Sequence, residues 1–341
     1  MCRAFLRFGS IAFRSLLQYD GISSGFRRRK ARIRRISPGA HLIIRTKEDI
    51  HMILENNRFH VEIAALGAEL TRIFDRRSGQ ELLWNGDPAY WKRRSPILFP
   101  NVGKTFENRM RIHGRIYPTS QHGFARDMVF APEESDSARA VYLLRSSEET
   151  LARYPFGFEL RIGYALEACE LTVSWQVRNC SGAEMPFTIG GHPAFRFAEL
   201  TDRKEDYCLH FPGKQSLRYV LLDPVSGTAL PDEQAVLPLE DGILPLSDAL
   251  FANDALILDG GQIDEVWLCR KDGARRIGMR CAGFPNFGVW SVKGAPFVCL
   301  EPWAGRCDNR GFDRELREKP DVNLLAPGQV FEKHYSIVLP E

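Results

Sequence analysis

Pro186-Phe187-Thr188-Ile189-Gly190-Gly191-His192-Pro193-Ala194-Phe195 begins as an apolar strand, breaks at two glycines and resumes past a histidine that precedes a proline. Tandem glycines let backbone approach backbone or ligand with no side chain between them. Proline fixes its own φ and drives the residue before it toward an extended conformation. His192 is therefore held stiffly at a strand end, as an acid–base group should be. A buried structural histidine beside a tight turn fits the same ten residues, so its role rests on what surrounds it.

Upstream, the chain reads as strands. Phe59, Val61 and Ile63 alternate with polar residues, Gly67 allows a bend, and Asp75-Arg76-Arg77-Ser78-Gly79 turns the chain into Glu81-Leu82-Leu83-Trp84. Trp91 to Lys104 is a short apolar run between prolines and a glycine with cations at both ends. That pattern suits a buried segment opening onto a polar cleft, although Arg and Lys are usually just solvated. A second hairpin is expected around His113-Gly114, leading to His122-Gly123-Phe124-Ala125-Arg126-Asp127. Residues 128–187 alternate well, at Phe158, Leu160, Ile162 and Tyr164 and again at Leu171, Val173, Trp175 and Val177, predicting long antiparallel strands with one buried face. Ser147–Thr150 reads as a loop.

Downstream, 199–250 is polar and carries Pro212, Pro224, Pro231, Pro238 and Pro245, so it reads as loops decorating the sheets. Asp254 interrupts the apolar run Leu250–Ile257, and a carboxylate buried there needs a partner. Phe297-Val298-Cys299-Leu300-Glu301-Pro302-Trp303 is an apolar strand ended by a glutamate, fixed by a proline and flanked by an indole. Glutamate is seldom buried without purpose.

The 341 residues carry a net charge of +3, unevenly spread. Residues 1–50 hold twelve Lys/Arg against three acids, a net of +9, which leaves −6 for the rest. A mildly acidic body gives no indication of nucleic-acid or membrane binding. The basic run Arg27–Arg35 fits a transit peptide, a tail for an anionic surface, or translated upstream sequence with the native start at Met52. The last is preferred because a strand pattern begins near Met52. Residues 1–51 are accordingly expected to be a disordered basic extension and 52–341 one domain. Eight cysteines without a C-x-x-C pair, several inside apolar strands, suggest a reducing, cytoplasmic setting. There is no apolar run of about 18 residues to span a membrane.

Two histidines, a strand-end glutamate and an aspartate thus stand beside aromatics. Past the basic extension, residues 52–341 have no G-x-S-x-G, phosphate loop or dinucleotide fingerprint. Metal binding by His122, His192 and Glu301 is conceivable, but no local spacing supports it. Acid–base chemistry on a polar ligand remains.

In Gly190-Gly191-His192-Pro193-Ala194-Phe195, His122-Gly123-Phe124-Ala125-Arg126-Asp127, Asn253-Asp254 and Leu300-Glu301-Pro302-Trp303, the sequence resembles the aldose 1-epimerase (galactose mutarotase-like) family, in order, over roughly residues 55–340. The resemblance implies a mainly β fold, a large antiparallel β-supersandwich with few short helices, and α/β anomer interconversion of a free hexose without cofactor or metal. It makes His192 the general acid on the ring oxygen and Glu301 the base on the anomeric hydroxyl. His122 would hydrogen-bond the sugar and Asp254 would grip its hydroxyls. The family's arginine matches Lys104 by position, with Arg94 just upstream as the alternative; lysine lacks the guanidinium fork. Trp303, Phe124 and Phe195 would wall the sugar. The partner is then a small-molecule sugar, and the chain a monomer or weak homodimer. A hexose 6-phosphate mutarotase, supported by Arg94, Lys104 and Arg126, and a non-catalytic carbohydrate-binding protein stay open beside it.

Overall fold

The computed structural model describes residues 42–43 and 51–341. Nearly all of the basic 1–51 segment, including Arg27–Arg35, lies outside the described residues. Within it, Leu42–Ile43 pairs antiparallel with His51–Glu55, Leu42 opposite Met52.

Three antiparallel sheets carry most of the chain. A five-stranded sheet runs in order from Leu42–Ile43 through His51–Glu55, Phe59–Ala64 and Leu70–Asp75 to Gln80–Glu81. A nine-stranded sheet has at its centre Arg275–Arg280, Val330–Val338, Glu170–Asn179 and Phe158–Glu167. The third, eight-stranded, runs from Ala229–Pro238 through Ser216–Leu222, Leu256–Asp259, Asn286–Trp290, Phe297–Ala304 and Ile189–Gly191 to Ile97–Leu98, with Ala194–Arg196 also paired to Phe297–Ala304. This is the large β-sandwich the sequence led us to expect.

The alternation in the sequence explains the layers. Phe158–Glu167 and Glu170–Asn179 bury every second residue, and Leu160 opposes Val177 while Ile162 opposes Trp175. The main core joins these side chains to Val298 and Leu300 of the third sheet and to Val61 and Ile63 of the first. Period-two burial on each sheet closes one shared apolar layer. The hairpin at His113-Gly114 forms as expected, between Arg109–Ile112 and Arg115–Pro118. Both turn residues have positive φ (50° and 74°), as a two-residue turn between twisted strands requires.

Two expectations fail. Ser147 opens a short helix, Glu148–Arg153, rather than a loop: its side chain accepts the Thr150 N–H while Thr150 Oγ1 accepts the Ser147 N–H. The 199–250 region is not loop decoration. It supplies Tyr207–His210 and Ile243–Pro245 to one edge of the nine-stranded sheet and Ser216–Leu222 and Ala229–Pro238 to one edge of the eight-stranded sheet. Its prolines misled because proline is excluded only from central strands; Pro231, Pro238 and Pro245 all lie on outermost strands. Among the described residues no helix is long and apolar enough to cross a membrane. The seven described cysteines are unpaired.

Candidate active site

Strand Phe297–Ala304 is buried on both faces along its whole length. Val298, Leu300 and Ala304 point into the main core. The alternate residues point the other way. Phe297 and Cys299 join a small cluster with Trp84 and Ala194, and Trp303 joins another with Leu98 and Ile257. Glu301 falls between these two clusters on the same face. A glutamate is thus placed on the floor of the sheet's outer side, 1 % exposed, by alternation alone.

His192 reaches it through register. Gly190 opposes Trp303 and Ala194 opposes Cys299, so the position between them sets His192 across from Glu301. Pro193 cannot donate to the ladder, which is why the strand is interrupted there. On its other side the segment is held by His192 N–H to Pro96 O (3.1 Å) and Ala194 N–H to Arg94 O (2.9 Å). His192 Nε2 lies 3.2 Å from Glu301 Oε2, close but not aligned as a hydrogen bond. Neither Glu301 oxygen has a hydrogen-bond partner, nor has His192 Nδ1. Two unpartnered carboxyl oxygens at 1 % exposure are a strong signal, because a buried acceptor left unmade is costly.

Burial decides the charges. It pushes the Glu301 carboxyl well above the usual carboxylate range, and the Asp254 carboxylate adds to this while the Trp303 indole opposes it. Burial also drives the His192 imidazole down to about 3, helped by the positive charges of Arg126 and Arg93. Both shifts favour a neutral pair, carboxylic acid beside imidazole, sharing one mobile proton.

His122 stands next to His192, ring centroids 5.4 Å apart and nearly perpendicular. Its φ of 68° is unusual for a non-glycine residue and is fixed by a double tie to Gly103. The His122 N–H donates to Gly103 O (2.9 Å), and the Gly103 N–H donates to His122 Nδ1 (3.1 Å). An accepting Nδ1 leaves the proton on Nε2, so His122 presents a donor. Burial, then the His192, Arg126 and Arg93 charges, hold this imidazole well below its ordinary value and keep it neutral.

The aromatic walls differ from those expected. Phe195 and Phe124 belong to the main core, because Phe195 points opposite to His192 and Ala194, and Phe124 packs on Phe99 and Phe158. Trp91 instead stacks on His192 at 4.8 Å, and Trp290 meets it edge-on at 5.7 Å. Trp303 does flank Glu301, in a space cleared by Gly190 and Gly288 on the neighbouring strands.

Of the remaining candidates, Asp254 does not interrupt a strand. It is exposed in the loop before Leu256–Asp259, with φ of 77°, at a cleft of about 150 Å³ bounded by Tyr219, Leu222 and Leu250. Leu222 also packs against the Trp303 cluster, and the Asp254 charge acts on Glu301. Lys104 lies against the Gly227 turn, and its ammonium has no hydrogen bond or ion pair among the described residues. Arg94 is directed away, its Nε donating to Asn85 O at 2.9 Å. The guanidiniums whose charge acts on both histidines are Arg93 and Arg126. Arg126 Nε is buried and makes no hydrogen bond, though Asp127 Oδ2 lies 3.9 Å away, and burial with the Arg93 charge lowers this guanidinium to about 10.

The aldose 1-epimerase family model matches residues 51–307. The chain is 32 % identical to the chromosomal protein LacX of Lactococcus lactis over 295 residues, 84 % of this chain and 98 % of that one. A galactose mutarotase related enzyme from Lactobacillus acidophilus superposes with a TM-score of 0.80 at 32 % identity, covering 85 % and 97 % of the two chains. A galactose mutarotase-like protein from Lactobacillus casei gives 0.79 at 30 %, covering 85 % and 100 %.

Proposed function

The chain belongs to the aldose 1-epimerase family, and from that premise we propose that it interconverts the α and β anomers of a free aldohexose. The observation that carries this reading is the 3.2 Å approach of His192 Nε2 to a buried Glu301 carboxyl with no hydrogen-bond partner. Opening a cyclic hemiacetal removes the O1–H proton, forms the C1=O1 double bond, breaks C1–O5 and delivers a proton to O5. Glu301 as carboxylate takes the first proton and His192 as imidazolium gives the second. The carboxylic acid and neutral imidazole favoured by burial hold the same number of protons. One distribution serves opening and the other serves closing, so the pair returns to its starting state after each turnover. Rotation about C1–C2 turns the carbonyl, O5 attacks its other face, and the opposite anomer forms.

The other residues bind. His122 Nε2–H donates to a sugar oxygen, Asp254 accepts from hydroxyls, and Trp303, Trp91 and Trp290 offer faces to the C–H side of the ring. Dry surroundings strengthen each of these contacts. The test is anomer exchange by NMR on α-D-glucose and α-D-galactose with wild type beside Glu301→Gln. Acceleration by wild type alone supports the reading. Sugar binding with no acceleration by either protein overturns it in favour of a carbohydrate-binding relative.

A hexose 6-phosphate substrate is the second reading. It is favoured by the guanidiniums of Arg93 and Arg126, whose charge acts on both histidines, although both already pair with Asp127. Equal catalytic efficiency on glucose and its 6-phosphate would remove it.

A further inference from the structure

We propose that His192, Cys299 and Glu301 form a binding site for one Zn²⁺-like divalent ion, which displaces the sugar and silences the site. The proposal goes beyond the epimerase reading by adding Cys299, which the reaction does not use. An imidazole nitrogen, the Cys299 sulfur and a Glu301 oxygen all lie within 4.8 Å of one another, and all three residues are buried. The arrangement follows from register. Cys299 and Glu301 are two apart on one strand and share a face, and Ala194 opposite Cys299 leaves its thiol uncovered by any long side chain from that strand.

The donor set selects the ion. One nitrogen, one sulfur and one oxygen suit borderline-soft Zn²⁺, whereas Ca²⁺ and Mg²⁺ call for shells of oxygen ligands. Tetrahedral zinc wants its ligands about 3.5 Å apart. His192 and Glu301 already stand at 3.2 Å, so only the sulfur must close in, by a small rotation of the Cys299 and Glu301 side chains. Charge favours it as well. The ion brings +2, the Cys299 thiolate and the Glu301 carboxylate bring −1 each, and His192 stays neutral. A dry site that opposes any single charge accepts a set that sums to zero. Binding releases two protons to solvent, one from the thiol and one from the carboxylic acid, with no electron transferred. An ion held by His192 and Glu301 occupies the two groups the epimerase reading uses, so it excludes the sugar from them.

The test titrates Co²⁺ and Zn²⁺ into the full chain, reading the thiolate-to-cobalt absorption band, the protons released by calorimetry in two buffers, and anomer exchange. Wild type should bind one equivalent with the band, release two protons and lose exchange in proportion to occupancy. Cys299→Ser should keep its basal exchange, lose the band and bind at least tenfold more weakly. Glu301→Gln keeps the thiol and should release one proton instead of two, which tests the site even if Cys299→Ser fails to fold. Cys208→Ser, in the cross-strand Cys208–Cys269 pair, should change nothing. No band in wild type, or a band that survives Cys299→Ser and vanishes in Cys208→Ser, overturns the proposal. A band without any anomer exchange in wild type would sink the epimerase reading and leave the ion site standing.

Discussion

The Trp303 indole occupies the space a side chain on Gly288 would fill: a Cβ there would come within 2.5 Å of indole Cζ2. Gly190 does the same on the opposite flank, at 2.5 Å from Cδ1. The indole therefore lies across three strands, on backbone, beside Glu301. Gly288→Ala should push it off its seat. Overpacking of this kind costs about 1–3 kcal/mol, and anomer exchange should fall with it because the wall beside Glu301 moves. Urea unfolding and exchange rates would show both; unchanged stability would mean the indole is free to shift.

Glu301→Gln should separate activity from stability. Loss of a positioned acid–base group costs about 10²–10⁴ in rate. Glu301 is raised in the folded chain, so its burial as the neutral acid contributes stability below the ordinary carboxylate value of 4.5, and that contribution is lost as pH rises toward the folded value. Glutamine has no such loss. The variant should gain stability over wild type progressively above pH 4.5, measured by denaturant midpoints across pH. A constant difference would mean that the carboxyl ionises freely in the fold.

The imidazoles give the opposite slope. His192 is depressed to about 3 and His122 is depressed too. Their burial as neutral rings contributes stability above 6.5, lost as pH falls from 6.5 toward 3 for His192. Anomer exchange, corrected for the buffer rate, should accordingly show no inflection near 6.5. It should fail in acid only as His192 takes a second proton near 3, and in base as the pair loses its mobile proton. An inflection near 6.5 in the rate would show that His192 titrates as a solvated histidine.

His122→Asn keeps an acceptor near Nδ1 for the Gly103 N–H and removes the Nε2–H donor. Losing one neutral hydrogen bond is worth about 0.5–1.5 kcal/mol, so KM should rise up to about tenfold while kcat changes less. A collapse of kcat with unchanged KM would instead give His122 a part in proton transfer.

The fold was legible where burial has a period. Phe158–Glu167 and Glu170–Asn179 announce themselves by alternation, and Phe297–Ala304 by a continuous apolar run ending at a proline. It was illegible where proline suggested loops, since an edge strand tolerates proline and nothing local in Ala229–Pro238 marks it as an edge. In the site, His192, Glu301 and His122 were visible because glycine and proline fix their backbone. The stacking of Trp91 on His192 was not: it depends on Pro96 and Arg94 meeting the His192–Ala194 segment, a pairing about a hundred residues apart in sequence.

That stacking carries a consequence for catalysis. Trp91 covers one face of the His192 ring at 4.8 Å with planes 29° apart, while Trp290 closes its edge. Desolvation is the largest cause of the depressed imidazole, and Trp91 is part of what excludes water. Trp91→Ala should hydrate the ring, so the acid limb of the exchange profile should move up from about 3 toward 6.5 and the ring should lose its fixed orientation. Trp91→Phe restores a smaller face and should recover much of the shift. The position of the limb in the two variants separates this from simple loss of packing, which would lower the rate at every pH and leave the limb where it was.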